Sequence, residues 1–178
     1  MLTTITNIRK KLKSEQLDGL FITNPYNRRY VTGFTGSAGV VLITQDHALF
    51  ITDFRYTEQA ERQVKGFTII QHGANIVDEV ASHVKRLRIE RLGFEADHLT
   101  MAQYNAYKDK LHSELIPTSG IIETLRMIKT DEEIAMIKKA CSIADQAFEH
   151  ILSFIKPGVH EIEVANELEY FMRKQGAS

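Results

Sequence analysis

The stretch VVLITQDHALFIT, residues 40–52, decides the fold. Two apolar runs, VVLIT at 40–44 and ALFIT at 48–52, flank the polar triplet QDH, which is the pattern of a β-hairpin. A hairpin joins antiparallel strands, whereas strands joined through helices run parallel. The elements around residues 40–52 therefore decide whether the sheet is of one kind or mixed. Upstream, Ile5, Ile8, Leu12 and, less regularly, Leu17 recur at helical spacing under a lysine-rich face, predicting a helix over 3–17 that Asp18-Gly19 stops. GLFIT, 19–23, reads as a buried strand, and Asn24-Pro25 turns the chain. Downstream, a helix over 54–65 ends at Gly66, FTIIQ at 67–71 reads as a strand, and 75–87 as an amphipathic helix. RLGFE at 91–95 is a further strand. Thr100 and Gln103 form a capping box that opens a helix to about His112, and ELIPT at 114–118 is the last strand. Helices and strands alternate around one embedded hairpin, so the fold class is α/β, layered, with a mixed sheet.

The pattern changes near residue 120, beyond which no strand is found. Thr130 and Glu133 form a second capping box, opening a long helix with Ile134, Ile137, Cys141, Ala144, Phe148, Ile151, Leu152 and Ile155 at apolar positions. Lys156-Pro157-Gly158 breaks it, and a final helix over 160–175 carries Ile162, Ala165, Leu168, Phe171 and Met172. Two such stripes can cover each other only on one side. The expectation is that the chain stops inside a second domain whose core lies beyond Ser178.

Composition limits the function classes. Apolar residues make up 43%, enough for a packed core, and 22 basic side chains nearly balance 23 acidic ones. No long-range basic field points to nucleic acid or anionic lipid. The runs RKKLK (9–13) and KRLRIER (85–91) read as solvated helix faces. A single cysteine, Cys141, excludes an intrachain disulfide and reads as a core thiol. No apolar run approaches the roughly 18 residues of a membrane span, and the N-terminus has no apolar leader core. The expected location is cytoplasmic, without nucleic-acid or membrane partners.

Gly33, Gly36 and Gly39 recur at steps of three before the hairpin. A phosphate loop would read G-x-G-x-x-G or end in G-K-[ST] and lead into a helix; here a strand follows. The glycines fit close backbone packing at a strand entry. In ITDFRY, 51–56, Asp53 stands where a strand hands over to a helix, with Arg55 and Tyr56 on the first turn. Two readings stay open: a helix cap with an Asp53–Arg55 pairing, or a ligand contact in the crevice beyond the strand ends. The seven histidines form no metal-binding spacing, and Asp145 with Glu149 reads as a solvated acidic stripe. No Ser/His/Asp signature or activated cysteine is present.

Four strings, NPYNRRYVTGFTGSAGVVLIT, ITDFRYTEQA, LRMIKTDEEIAMIKKACSIADQAFEHIL and IKPGVHEIEVANELEYFMRKQGA, resemble in that order the Xaa-Pro peptidase family, the proline dipeptidases and aminopeptidases P that share a fold with creatinase. The resemblance implies a ribonuclease H-like mixed-sheet N-terminal α/β domain over residues 1–123. It then implies a linker and the first two helices of an incomplete pita-bread metallopeptidase domain over 124–178. It implies two-metal hydrolysis of the bond before proline in short peptides, with manganese or cobalt in the parent enzyme. The two Asp, one His and two Glu ligands of the family match nothing in residues 1–178, so no catalytic residue, metal or cofactor is assigned here, and the chain alone is expected to be inactive. Its implied partners are its own catalytic domain, a second subunit of a homo-oligomer and short proline-containing peptides. Phe34 as an apolar wall, Ser37 offering a hydrogen bond, and Arg55 or Tyr56 at a substrate terminus are the implied substrate-access residues. A non-catalytic peptidase-like binding module and a creatinase-type amidinohydrolase are the alternatives.

Overall fold

The computed structural model describes residues 2–177; Met1 and Ser178, the outer ends of the two expected domains, lie outside the described residues. The chain divides into two units, residues 1–127 and 128–178.

In the first unit, six strands form one mixed sheet in the order β4-β3-β2-β1-β5-β6. They are β1 (Gly19–Ile22), β2 (Val40–Thr44), β3 (Ala48–Thr52), β4 (Thr68–Gln71), β5 (Arg91–Glu95) and β6 (Glu114–Thr118). The hairpin is present as expected: Val41 faces Phe50 and Leu42 faces Leu49 across an antiparallel pair. Its turn is fixed locally, with Thr44 Oγ1 accepting from the Asp46 and His47 N–H groups. β2 also pairs antiparallel with β1, while β1–β5, β5–β6 and β3–β4 are parallel. Only β2 runs against the rest. The C-terminal ends of five strands and the entry to β2 therefore open on a single edge.

Helices cover both faces. They are α1 (Leu2–Ser14), α2 (Pro25–Thr32), α3 (Thr57–Gln63), α4 (Ile76–Arg86), α5 (Met101–Lys108) and α6 (Ile121–Met127). Side chains alternate across a strand. Leu20, Ile22, Val41, Ile43 and Phe50 thus join Ile8, Leu12, Val31, Ala60 and Ile122 in one core layer. Phe21, Leu42, Leu49, Ile51 and Leu92 join Val80, Val84, Tyr107 and Leu111 in the other. Two helices fall where the sequence suggested none. Asn24-Pro25, expected to turn the chain, caps α2: Asn24 Oδ1 accepts from the Tyr26 and Asn27 N–H groups, and Pro25 fills the first helical position. α6 packs Ile121 and Ile122 into the core. The helix expected over 54–65 starts only at Thr57, because residues 53–56 form a hydrogen-bonded turn instead. α1 likewise ends at Ser14.

Phe34, expected as an apolar wall, is a core residue, 1% exposed, with its ring 4.7 Å from Phe50 and 5.8 Å from Tyr56. Gly36 folds directly over it: a Cβ there would stand 2.4 Å from Phe34 Cζ and 2.9 Å from Tyr56 Cδ1. This close approach explains the middle glycine of the three.

The second unit is a pair of helices, α7 (Asp131–Phe154) and α8 (Glu161–Lys174). The capping box of Thr130 and Glu133 is present, and His160 with Glu163 forms another. Ala147 and Ile151 are buried; His150 bonds Glu167 at 2.7 Å and stacks on Phe171 at 4.3 Å. Ile137, Phe148, Leu152 and Ile162 are exposed. Cys141, expected in a core, is also exposed, because it lies on the α7 stripe with Ile137 and Phe148 rather than with Ala147 and Ile151.

Two outcomes follow from this packing. Gly36→Ala forces the Phe34 and Tyr56 rings to shift and lowers stability by about 1–3 kcal/mol, read as a fall in the thermal midpoint of the chain. The second concerns His83 of α4, 5% exposed, between Glu79 Oε1 at 3.1 Å and Arg86 Nη2 at 2.7 Å. Burial, then the Arg86 charge, hold its imidazole below the ordinary 6.5, against the opposing pull of Glu79. The unfolded chain thus takes up the proton first as pH falls through that ordinary value. Stability contributed by neutral His83 is intact above it and declines below it, by at most about 1.4 kcal/mol per pH unit. Urea titrations between pH 7.5 and 5.5 should show a shallower loss for His83→Gln than for the parent chain.

Candidate functional site

The edge where five strands end gathers the loops after β1, β3, β4, β5 and β6 and the glycine segment before β2. In open α/β sheets this edge is where ligands bind. Glu95, at the end of β5, joins its parts. Its Oε2 accepts the Thr23 and Asn24 N–H groups at 2.7 Å each, fixing the exit of β1. Its Oε1 accepts from Asn27 Nδ2 at 2.7 Å. Asn27, fully buried, gives its second amide hydrogen to Glu123 and accepts from Arg126 Nη1 at 2.9 Å, so α6 is tied to α2.

With α2 so fixed, Arg28 points under the glycine segment. Its Nη1 donates to Gly39 O at 2.6 Å and its Nη2 to Gly36 O at 2.7 Å, with the guanidinium carbon 5.7 Å from the Phe34 ring centre. Arg28 is 4% exposed and its Nε has no partner. Burial pushes this guanidinium down from its ordinary value, and the nearby Tyr56 partly offsets it. No carboxylate among the described residues bonds it. Thr32 Oγ1 accepts from the Phe34 N–H, and Gly33, in the left-handed region at φ 76°, ends α2 and starts the segment.

The expected site residues fall here. Ser37 is exposed on the glycine segment, with Oγ 2.7 Å from the Tyr56 hydroxyl. Tyr56 is half-buried beside Phe34. Arg55 is exposed but engaged: Nε donates to Asp53 Oδ1 at 2.9 Å and Nη2 to Oδ2 at 2.8 Å. The Arg55 guanidinium holds the Asp53 carboxyl below the usual carboxylate range. Asp53 Oδ1 also accepts the Arg55 N–H, and its carbonyl accepts from Tyr56 N and Thr57 Oγ1. Asp53 therefore braces the turn 53–56 and does not cap α3, whose N-cap is Tyr56.

Phe34 alone of the four is fully buried. Phe54, in the braced turn, is 74% exposed at this edge, as is Tyr26 at the start of α2, 71%. Neither Phe54 nor Arg28 was singled out from sequence. Exposure of Phe54 is set by tertiary placement. Arg28 carried a readable signal: an Asn-Pro start puts Asn27, Arg28, Val31 and Thr32 on one helical face, and all four are buried. Asp145 and Glu149 are exposed on α7, and no group of three or more His, Cys, Asp or Glu among the described residues is placed to hold a metal ion.

Residues 5–128 match the creatinase/prolidase N-terminal domain, and residues 135–178 match metallopeptidase family M24. An uncharacterized peptidase of Bacillus subtilis, YqhT, is 53% identical over 90% of this chain and 46% of its own length. A solved Xaa-Pro dipeptidase from Bacillus anthracis superposes with a TM-score of 0.95 at 56% identity, over 99% of this chain and 50% of that one. An X-Pro aminopeptidase from Thermotoga maritima gives 0.83 at 30% identity, over 92% of this chain and 48% of that one. The chain spans about half the length of the curated relatives it matches. Sheet order, the run of motifs and these likenesses agree that the chain belongs to the creatinase/prolidase N-terminal domain family, continued into the opening helices of an M24 peptidase domain.

Proposed function

We propose that the chain is the N-terminal part of a metal-dependent, cytoplasmic Xaa-Pro peptidase that hydrolyses the bond before proline in short peptides. One observation carries this reading: a single Xaa-Pro dipeptidase from Bacillus anthracis matches 99% of the chain at 56% identity, through both units. In the parent, two divalent ions, manganese or cobalt, would supply the Lewis-acid chemistry for that hydrolysis. The described residues do not fit such a centre, since they offer no suitable donor cluster. The reading therefore gives this polypeptide no hydrolytic step of its own.

Its own work is to shape access and support a homo-oligomer. The edge bearing Ser37, Tyr56 and the braced Asp53–Arg55 turn forms the rim of a neighbouring subunit's cleft, with Phe34 supporting it from beneath. Arg55 acts there through its pairing with Asp53, which keeps Tyr56 and Phe54 in place.

The test uses the parent enzyme and the 178-residue chain side by side. With manganese, the parent should release proline from Ala-Pro but not cleave Ala-Ala, and a chelator should abolish turnover; the chain alone should be inert. Turnover by the chain alone would overturn the division of labour, and a parent inert toward Xaa-Pro peptides would overturn the peptidase reading. In the parent, Arg55→Ala should raise KM severalfold and leave kcat within about twofold, the pattern of lost substrate positioning. Unchanged kinetics would remove this turn from the rim.

A further inference from the structure

We infer that Ser37 and Tyr56, above the buried Arg28, form a cradle for the terminal carboxylate of a short peptide; this deepens the reading of that edge as a substrate rim and rests on it. The argument starts from the peptide plane. A trans peptide points its C=O and its N–H in opposite directions. Arg28 Nη2 draws the Gly36 carbonyl inward, to 2.7 Å, so the N–H of the same peptide unit, that of Ser37, faces away from the guanidinium. Ser37 is exposed, and no described protein group accepts that N–H. Beside it stand the Ser37 and Tyr56 hydroxyls, 2.7 Å apart. One hydroxyl hydrogen is spent on their mutual bond, and the other is free to donate outward.

The charge balance selects the ligand. Arg55 is neutralised by Asp53, bidentate at 2.9 and 2.8 Å. Arg28 bonds two carbonyls and lies over a ring face with no described carboxylate bonded to it, and an arginine keeps its proton in a protein. A buried cation without a counter-ion projects its potential through low-dielectric surroundings. The nearest outward-facing donors, the Ser37 N–H and the hydroxyl pair, thus sit in a positive field. Two oxygens of one carboxylate fit this set, one on the N–H and one on the hydroxyl, as charge-assisted bonds. An amide or ammonium group would gain nothing from that field.

The test is amide NMR on the 178-residue chain, titrated separately with glycyl-proline, its C-terminal amide, sodium acetate and sodium chloride. Glycyl-proline should move the Ser37 amide saturably, and acetate should move the same resonance at higher concentration. The peptide amide and chloride should not. The double variant Ser37→Ala, Tyr56→Phe, which retains the Ser37-position N–H as a reporter, should bind glycyl-proline about tenfold more weakly with the rest of its spectrum unchanged. No saturable shift, an equal response to the peptide amide, or reproduction of the shift by chloride would each overturn the cradle. These results are independent of turnover by the parent: a parent that cleaves Xaa-Pro peptides beside a chain that ignores carboxylates refutes the cradle alone. Binding by the chain beside a parent inert toward such peptides refutes the peptidase reading alone.

Discussion

The carboxylate of Glu95 is the junction on which the candidate edge depends. It accepts two consecutive backbone N–H groups where β1 ends, and it takes the buried amide of Asn27. A strand exit is a place where backbone donors lose their ladder partners, and a buried unpaired donor costs free energy. Glu95 meets that requirement from a neighbouring parallel strand, so the exit of β1 is set by β5. Through Asn27 the same group fixes the pitch of α2, and through Glu123 and Arg126 it fixes α6. Four elements from three separate parts of the sequence meet at one amide and three charged side chains.

The orientation of α2 then decides the glycine segment. Were α2 turned by one residue, Arg28 would leave the core face and Arg29 would enter it. The clamp on Gly36 and Gly39 exists only in the register that Asn24 and Pro25 set and Glu95 holds. Three glycines in sequence are ambiguous by themselves. Their use becomes specific once a ring lies under the middle one and a guanidinium holds the carbonyls on either side of Ser37 and Ala38.

This explains which parts of the molecule were legible in the sequence. All six strands were, because each is a short apolar run closed by turn residues, and the hairpin at 40–52 reported the mixed sheet directly. The capping boxes at Thr100 and Thr130 marked two helix starts to the residue. The helices α2 and α6, eight and seven residues long, were hidden because two turns cannot display an apolar period, and because α2 buries an asparagine and an arginine where a pattern search expects leucine. The placement of the candidate site residues was half legible. Ser37, Arg55 and Tyr56 belong to one neighbourhood, but motif position could not separate Phe34, which faces the core, from Phe54, which faces water. Sequence orders residues along the chain; inward or outward direction at a loop is decided by partners brought from elsewhere.

A buried guanidinium with no carboxylate is an expensive way to hold a loop, and its chemistry explains why an apolar residue would not replace it. A methionine could fill the volume above Phe34, but it would leave the Gly36 and Gly39 carbonyls without donors. Those carbonyls could then turn outward, and the segment, free of side chains at both positions, would have no reason to adopt one path. A carboxylate beside Arg28 would relieve the desolvation but would compete with the carbonyls for the same N–H groups. The arrangement observed keeps the fork wholly on the backbone, with the aromatic face as its only other support. Its consequence reaches the surface: the path of the loop where Ser37 is exposed and meets Tyr56 is held by a residue that solvent barely touches.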